Sequence, residues 1–223
     1  MGSKLTIYCY RHGLTRSNTE GRFGGTLDSL LTRQGWEELY HLKENYDYPA
    51  VQKLYTSPAI RCRETASVLF PDMEPCIYEG LWEYKFGCKE NTLCSDYFGT
   101  ELYDSWMEQE MSCAFDYEGG ETLLEAQFRI LAAFTRIIKD CQMRGLSQVA
   151  VISHGEILNL LMRKCLVGDV DPREFLLCPN GMGVMVTVDM EDWFVNQKLN
   201  YVKFMPEGAP RLKAEDSPFF ARG

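Results

Sequence analysis

The sequence predicts an α/β fold, a three-layer α/β/α sandwich with a mostly parallel central sheet and a helical lid insertion. Two observations support this prediction. Apolar runs of strand length alternate along the chain with stretches of helical periodicity. The chain has 223 residues, of which 45% are hydrophobic, which is enough for an ordinary core. We therefore expect a single domain over residues 1–223.

The first half of the chain predicts two strand–helix units. Residues 5–10 alternate and are rich in β-formers, which predicts the first strand. A helix is predicted to begin at Thr32. Its apolar side comprises Trp36, Leu39, Tyr40 and Leu42. Residues 51–56 predict a second strand, and Ser57-Pro58 predicts an N-cap followed by proline at the first helical position.

The middle of the chain has no clear period. Residues 81–118 mix aromatic, glycine, cysteine and methionine residues irregularly. That composition suits an inserted lid, which we place at about 84–118 and expect to cover the site.

The second half predicts the longest helix and the rest of the sheet. Thr122 and Glu125 form a capping box that opens this helix. Its predicted buried stripe is Leu124, Phe128, Leu131 and Ile138. Further elements are strands at 149–152, 182–188 and 201–204 and a helix at 157–166. The tail from Pro206 onward is predicted to be loose.

Composition limits the class of function. The net charge of −9 and the lack of a long basic run argue against nucleic-acid binding. No apolar stretch approaches the ~18 residues that span a bilayer, so no membrane association is expected. Nine cysteines without a Cys-x-x-Cys pair predict reduced thiols in a cytoplasmic protein. Three histidines and irregular cysteines offer no metal-ligand spacing.

Two histidines follow predicted strands directly. His12 stands between Arg11 and Gly13 after the first strand, and His154 stands between Ser153 and Gly155 after the strand at 149–152. Open α/β sheets bind ligands at the carboxyl ends of their strands. The two histidines therefore predict one shared active site.

Five blocks in order carry a resemblance to the histidine phosphatase superfamily, which has the phosphoglycerate mutase-like fold. They are residues 11–18 (RHGLTRSN) with the continuation from 22 to 35, residues 56–66 (TSPAIRCRETA), 81–87 (LWEYKFG), 119–122 (GGET) and 153–155 (SHG). Within the superfamily the chain looks most like the small broad-specificity and alpha-ribazole phosphatase members.

The resemblance implies a catalytic set of Arg11, His12, Arg61, Glu83 and His154. Neutral imidazole is a competent nucleophile near neutral pH, so His12 would form a phosphohistidine while a backbone carbonyl holds its other ring nitrogen protonated. Phosphate would be bound by Arg11, Gly13, Asn18, Arg61 and His154. Glu83 would protonate the leaving oxygen and then activate water, which requires burial to outweigh nearby arginines in setting its pKa. This chemistry implies neither a metal nor a cofactor.

The substrate itself is not predicted beyond a small phosphorylated molecule. Its contacts are expected from Arg22, Phe23, Gly24, Tyr84 and Gly155, although Gly24 with Gly25 also fits a simple turn. The chain departs from the family pattern at 85–90 and at Glu156, whose carboxylate either faces the phosphate site or points away. His41 is expected at the surface, and Arg63 is expected to be structural.

Two other functions are carried forward. A cofactor-dependent phosphoglycerate mutase would resemble this chain as far as Arg61, but the interval from Glu83 to Gly119 is short for a mutase. A catalytically silent relative would bind a phosphorylated partner, but such proteins typically lose a catalytic residue, and every matching position is filled here. Both a monomer and a homodimer are compatible with the sequence.

Overall fold

The computed structural model describes residues 4–108, 114, 119–168 and 178–210. A seven-stranded sheet forms its centre, with strand order β3-β2-β4-β1-β6-β7-β5. The strands are β1 (Lys4–Arg11), β2 (Lys53–Thr56), β3 (Cys76–Ile77), β4 (Gln148–Ser153), β5 (Leu166–Val167), β6 (Gly183–Asp189) and β7 (Leu199–Met205). Only β6 runs antiparallel to its neighbours, β1 and β7. The predicted mostly parallel sheet is confirmed.

Seven α-helices flank the sheet in the described part of the chain. They are α1 (Arg16–Thr19), α2 (Arg33–Asn45), α3 (Ile60–Leu69), α4 (Glu101–Met107), α5 (Leu123–Arg144), α6 (Gly155–Cys165) and α7 (Met190–Asn196). None of the helices described is both long and apolar enough to cross a membrane.

Two apolar cores lie on opposite faces of the sheet, which makes the three layers. Alternate residues of β1 point to opposite sides, so Ile7 joins one core and Tyr8 the other. The first core lies between the sheet and α5, α6 and α7, and the second lies between the sheet and α2 and α3. Because β1 and β4 are covered on both faces, they are continuous apolar runs that the sequence predicts well.

The long helix α5 begins as predicted, but its buried face is different. Thr122 and Glu125 form the expected capping box, and Gly145 ends the helix in the left-handed conformation. Leu131 and Ile138 are buried, whereas Leu124 and Phe128 of the predicted stripe are exposed. The buried face comprises Leu123, Ala126, Ile130, Leu131, Ala133, Phe134, Ile137, Ile138 and Cys141.

Two smaller predictions about helices were wrong. Tyr40 is exposed on α2, whose buried side carries Leu39 and Leu42. Helix α3 begins at Ile60 rather than Pro58, and the hydroxyl of Ser57 accepts from the Ala59 N–H within the preceding turn. This leaves Ser57 free for a second contact, described below.

The segment from Glu79 to Met107 is built from short 3-10 turns and α4 rather than from one regular element. The turns are Glu79–Leu81, Gly87–Lys89 and Cys94–Tyr97. Its aromatic side chains pack on one another: the rings of Phe23 and Phe86 lie 4.6 Å apart, and Trp106 contacts both. Residues 109–113 and 115–118 of the predicted lid lie outside the described residues, as does the tail beyond residue 210.

Candidate active site

The sheet brings the two strand-end histidines together. Strands β1 and β4 are parallel neighbours, and Arg11 pairs with Ser153 at their ends. The next residue continues the ladder, because the His12 N–H donates to the Ser153 carbonyl at 3.0 Å. The rings of His12 and His154 consequently lie 5.2 Å apart, centroid to centroid.

The ring of His12 is oriented by its own loop. Its Nδ1 lies 2.7 Å from the Gly13 carbonyl oxygen. A carbonyl can only accept, so Nδ1 carries the proton and Nε2 keeps its lone pair. Burial, followed by the charges of Arg61 and Arg11, holds the pKa of His12 well below its usual 6.5. His12 is therefore a neutral imidazole, and no described residue forms a hydrogen bond with its Nε2, which is the form that a nucleophile requires.

The backbone of this loop is held by side chains that the sequence analysis did not single out. The Gly13 N–H donates to the Thr65 hydroxyl at 2.9 Å, and that hydroxyl donates to the Arg61 carbonyl at 2.7 Å. The Asn180 amide donates to the His12 carbonyl at 2.9 Å. Since its N–H is committed to Thr65, Gly13 does not offer the predicted phosphate donor. No local signal distinguishes Thr65 or Asn180 from other polar residues.

Arg61 is anchored with part of its guanidinium. Its Nη1 donates to the Leu27 carbonyl at 2.7 Å, and its Nη2 donates to the Gly25 carbonyl at 2.8 Å. Nη2 also lies 3.1 Å from Nδ1 of His154. These three contacts use three of the five guanidinium N–H groups. Two N–H groups remain for a ligand in the cleft that Arg61 lines.

His154 has partners at both ring nitrogens. Arginine can only donate, so Nδ1 accepts from Arg61, and Nε2 carries the proton that it shares with the Ser57 hydroxyl at 2.8 Å. Burial, followed by Arg61 and His12, holds the pKa of His154 well below its usual value. In this arrangement the neutral ring directs no N–H at a phosphate, contrary to its predicted donor role. What it does instead is orient Arg61.

Arg11 and Asn18 complete the polar end of the site. Nη1 of Arg11 donates to the Cys178 carbonyl at 3.0 Å, while its buried Nε has no hydrogen-bond partner among the described residues. Burial lowers the pKa of Arg11 below its usual range, but a guanidinium keeps its proton in proteins. The Oδ1 of Asn18 accepts from the N–H and hydroxyl of Thr15 and from Asn180. Because these contacts hold the amide oxygen of Asn18, the Nδ2 group is the part of the amide that can donate to a ligand.

Glu83, the predicted general acid, lies in the same cleft as His12. Its Oε1 accepts from the backbone N–H of Tyr84 at 2.9 Å and of Ile157 at 3.2 Å, the latter in the first turn of α6. Burial raises the pKa of Glu83 above its usual 4.5, against the opposing effects of these N–H groups, Arg61 and Arg11. Burial thus outweighs the arginines.

The cleft comprises about 760 Å³, which includes space open to solvent at its mouth, and has two chemically different ends. One end carries the charged and polar groups already described. The other is formed by Phe23, Phe86, Trp106 and Met107. Other residues that border the cleft are Arg22, Gly24, Gly155 and Glu156.

Three other predicted residues lie away from the cleft. Tyr84 is fully buried and its hydroxyl donates to the Glu121 carbonyl, so its prediction as a substrate contact was wrong. His41 and Arg63 are exposed, as expected. Within the described residues, no group of three His, Cys, Asp or Glu side chains could hold a metal ion.

Comparison with known proteins agrees with this geometry. Residues 7–199 match the model of the histidine phosphatase superfamily (branch 1). A relative from Salmonella choleraesuis (strain SC-B67), named probable phosphoglycerate mutase GpmB, is 27% identical over 166 residues, which cover 73% of this chain and 75% of the relative.

Solved structures show the same fold. A phosphoglycerate mutase from Bacillus anthracis str. Sterne matches with a TM-score of 0.75 at 20% identity, covering 91% of this chain and 93% of the other. A putative alpha-ribazole-5'-P phosphatase from Escherichia coli str. K-12 substr. MG1655 matches with a TM-score of 0.69 at 18% identity, covering 89% and 94%. With the family model spanning most of the chain, this protein belongs to the histidine phosphatase superfamily (branch 1).

Proposed function

We propose that the protein hydrolyses phosphate monoesters through a phosphohistidine on His12. The observation that carries the proposal is the state of His12: neutral, with Nδ1 bonded to the Gly13 carbonyl and Nε2 free, beside two guanidinium groups. His41, by contrast, is exposed on α2, and its Nδ1 lies 3.1 Å from the amide nitrogen of Asn45.

In the first step Nε2 of His12 attacks phosphorus and the bond from phosphorus to the ester oxygen breaks. Protonated Glu83 gives its proton to that oxygen, so the leaving group departs as a neutral alcohol or phenol. Arg11 and Arg61 neutralise the charge on the equatorial oxygens of the transferring group. In the second step Glu83, now ionised, takes a proton from water as its oxygen attacks phosphorus. The bond from nitrogen to phosphorus breaks and phosphate leaves.

The proposed reaction is metal-independent because the two arginines supply the positive charge. Each offers fixed-charge N–H donors, and donors preorganised in this way are suited to a charge-rich transition state. Arg61 reaches the cleft with two uncommitted N–H groups, and Arg11 has its unpartnered Nε.

The far end of the cleft supports a leaving group with an apolar or aromatic part. Phe23, Phe86, Trp106 and Met107 offer it ring faces and a flexible thioether rather than charges. These four side chains offer no cation to the carboxylate of a phosphoglycerate. This favours hydrolysis of an apolar ester over mutase activity.

The alternative is a cofactor-dependent phosphoglycerate mutase, which the name of the Salmonella relative and the Bacillus fold neighbour favour. A mutase would pass the phosphoryl group from His12 to a hydroxyl of phosphoglycerate instead of water. Arg22 lines the cleft and is the cation available to a second anionic group, although Glu20 already pairs with it at 2.7 Å.

The free thiols support a cytoplasmic location for this activity. Seven cysteines in the described part of the chain form no disulfide, and all of them except Cys76 are buried: Cys9, Cys62, Cys76, Cys94, Cys141, Cys165 and Cys178. Reduced thiols are typical of cytosolic proteins.

The test is hydrolysis of p-nitrophenyl phosphate with excess EDTA by the wild type, His12→Ala and the matched control His41→Ala. We expect turnover by the wild type and His41→Ala, and loss of turnover in His12→Ala. Interconversion of 2- and 3-phosphoglycerate, primed with bisphosphoglycerate, is measured on the same preparations. Mutase turnover without ester hydrolysis would replace the proposed function by the alternative.

A further inference from the structure

The strongest polar cluster outside the catalytic groups lies behind Glu83. Arg129 of α5 and Glu121 form a largely buried ion pair, with Nη2 to Oε1 at 2.5 Å and Nε to Oε2 at 3.1 Å. Neither side chain lines the cleft. A bidentate arginine–carboxylate pair is stiff, because the planar fork fits both oxygens at once.

The remaining N–H groups of Arg129 bind the backbone that carries Glu83. Nη1 donates to the carbonyls of Gly80 at 3.1 Å and Trp82 at 2.7 Å, and Nη2 donates to the carbonyl of Glu83 itself at 3.2 Å. All five guanidinium N–H groups are therefore used. A lysine at this position has only three donors and could not reproduce the pattern.

Glu121 holds the other side of the same segment. Its Oε1 accepts from the Lys85 N–H at 3.0 Å, and its own N–H donates to the Lys85 carbonyl at 3.1 Å. The Tyr84 hydroxyl donates to the Glu121 carbonyl. The ion pair thus ties residues on both sides of Glu83 to the start of α5.

Close packing adds to this restraint. A Cβ at Gly80 would lie 2.8 Å from Cβ of Ala133, so the segment lies directly on α5. The carbonyl of Leu81 accepts from the Ser153 hydroxyl at 2.8 Å. Four successive carbonyls, from Gly80 to Glu83, therefore accept hydrogen bonds from side chains. Such complete anchoring of a non-regular segment is expected where one side chain must be held in place.

We propose that Arg129, braced by Glu121, is a positioning residue that holds Glu83 in line with the leaving oxygen. The inference rests on the proposed hydrolase function, in which Glu83 is the general acid. Among the described residues, the hydrogen bonds that direct the carboxyl come from the N–H groups of Tyr84 and Ile157. Its distance from the leaving oxygen is therefore set by the backbone that Arg129 binds, and a shift of about 1 Å is enough to impair catalysis.

The experiment compares two esters that differ in their need for an acid. p-Nitrophenolate is a stable anion that leaves without a proton, whereas phenolate is more basic and benefits from one. We measure kcat/KM, which reports the steps through formation of phosphohistidine. The variants are Arg129→Lys, Glu121→Gln and Glu83→Gln. The control is Arg136→Lys, because Arg136 lies on the same helix but is exposed.

In Arg129→Lys we expect kcat/KM for phenyl phosphate to fall about 10- to 100-fold, within the range of general acid catalysis, while that for p-nitrophenyl phosphate falls less than about threefold. Glu121→Gln should show the same selectivity to a smaller extent, and Arg136→Lys should leave both values unchanged. Glu83→Gln gives the largest selective loss of kcat/KM that is expected, because the general acid is then absent.

Equal losses on both esters in Arg129→Lys and Glu121→Gln would overturn the proposal and leave the ion pair a purely structural role. If Arg129→Lys does not fold, the near-isosteric Glu121→Gln decides alone. Unselective losses in Glu83→Gln would overturn the acid assignment, and with it this inference. If the wild type hydrolyses neither ester, it is the proposed function that has failed.

Discussion

Replacing Arg61 by lysine is the sharpest test of the phosphate site. The substitution keeps the positive charge but removes the planar fork. Arg61 uses three N–H groups on Leu27, Gly25 and His154 and presents two to the cleft. An ammonium group has three N–H groups in total. It can hold the loop or bind a phosphoryl group, but it cannot do both in the same geometry.

The size of the effect follows from the donors lost. Removing one preorganised donor to a transition-state oxyanion costs about 100- to 1,000-fold, or about 2.7–4 kcal/mol. We therefore expect kcat/KM of Arg61→Lys to fall by about that factor. Stability should also fall by about 2–4 kcal/mol, since charge-assisted hydrogen bonds to buried carbonyls contribute about 1.5–3 kcal/mol each and lysine replaces some of them.

The assay is kcat/KM for p-nitrophenyl phosphate together with urea unfolding, on Arg61→Lys and the control Arg63→Lys. Arg63 lies two residues further along α3 and is exposed, so its substitution should leave both quantities unchanged. Inhibition by inorganic phosphate gives a separate measure of anion binding and should weaken in Arg61→Lys alone. A folded Arg61→Lys enzyme within about threefold of wild type would refute preorganised donation by this guanidinium.

Three further outcomes are expected. Log kcat/KM for phenyl phosphate should decline as the pH falls through the pKa of His12, which lies well below 6.5. It should also decline as the pH rises through the pKa of Glu83, which lies above 4.5, and this second decline should vanish in Glu83→Gln. Gly183→Ala should lose about 3 kcal/mol or more in urea unfolding, because the added Cβ would lie 1.8 Å from the Cys9 carbonyl oxygen inside the β1–β6 ladder. Thr122→Ala should lose about 1 kcal/mol by removing the cap of α5, with unchanged KM.

Those parts of the fold that depend on local chemistry could be predicted from sequence. The strands β1 and β4 are buried on both faces, so their apolar runs are continuous. The capping box of α5 is a contact between residues three apart, which a sequence shows directly. Strands β3 and β5 have two residues each, too few to show any pattern. They exist because longer neighbouring strands offer them backbone partners.

The buried face of α5 shows where periodicity fails. Apolar residues occupy more than one side of its first two turns, so Leu124 and Phe128 give a helical spacing as good as that of Ala126 and Ile130. The small side chain of Ala133 allows the turn at Gly80 to lie directly against the helix. The face of the helix that becomes buried depends on packing partners far away in the sequence. A local sequence pattern carries no information about those partners.

Within the candidate site, too, some residues could be predicted from the sequence and others could not. Motif residues such as His12 and Arg61 could be assigned because they fall in recognisable blocks. The groups that orient them could not: Thr65, Asn180 and Arg129 act through backbone contacts formed only in the fold. Arg129 is 46 residues from the carbonyl of Glu83 that it binds.

One physical cause prepares both proton-carrying groups of the site. Burial disfavours charge of either sign, so it lowers the pKa of His12 and raises that of Glu83. The first step needs both groups neutral, and burial favours that state for each. The positive charge of the arginines lowers the pKa of both His12 and Glu83. It therefore favours the neutral form of the nucleophile but disfavours the protonated form of the acid. In the proposed reaction, a bound phosphate monoester would offset the arginines with its own negative charge and so strengthen the effect of burial on Glu83. Substrate binding would then favour the protonated acid at the stage of the proposed reaction that uses it.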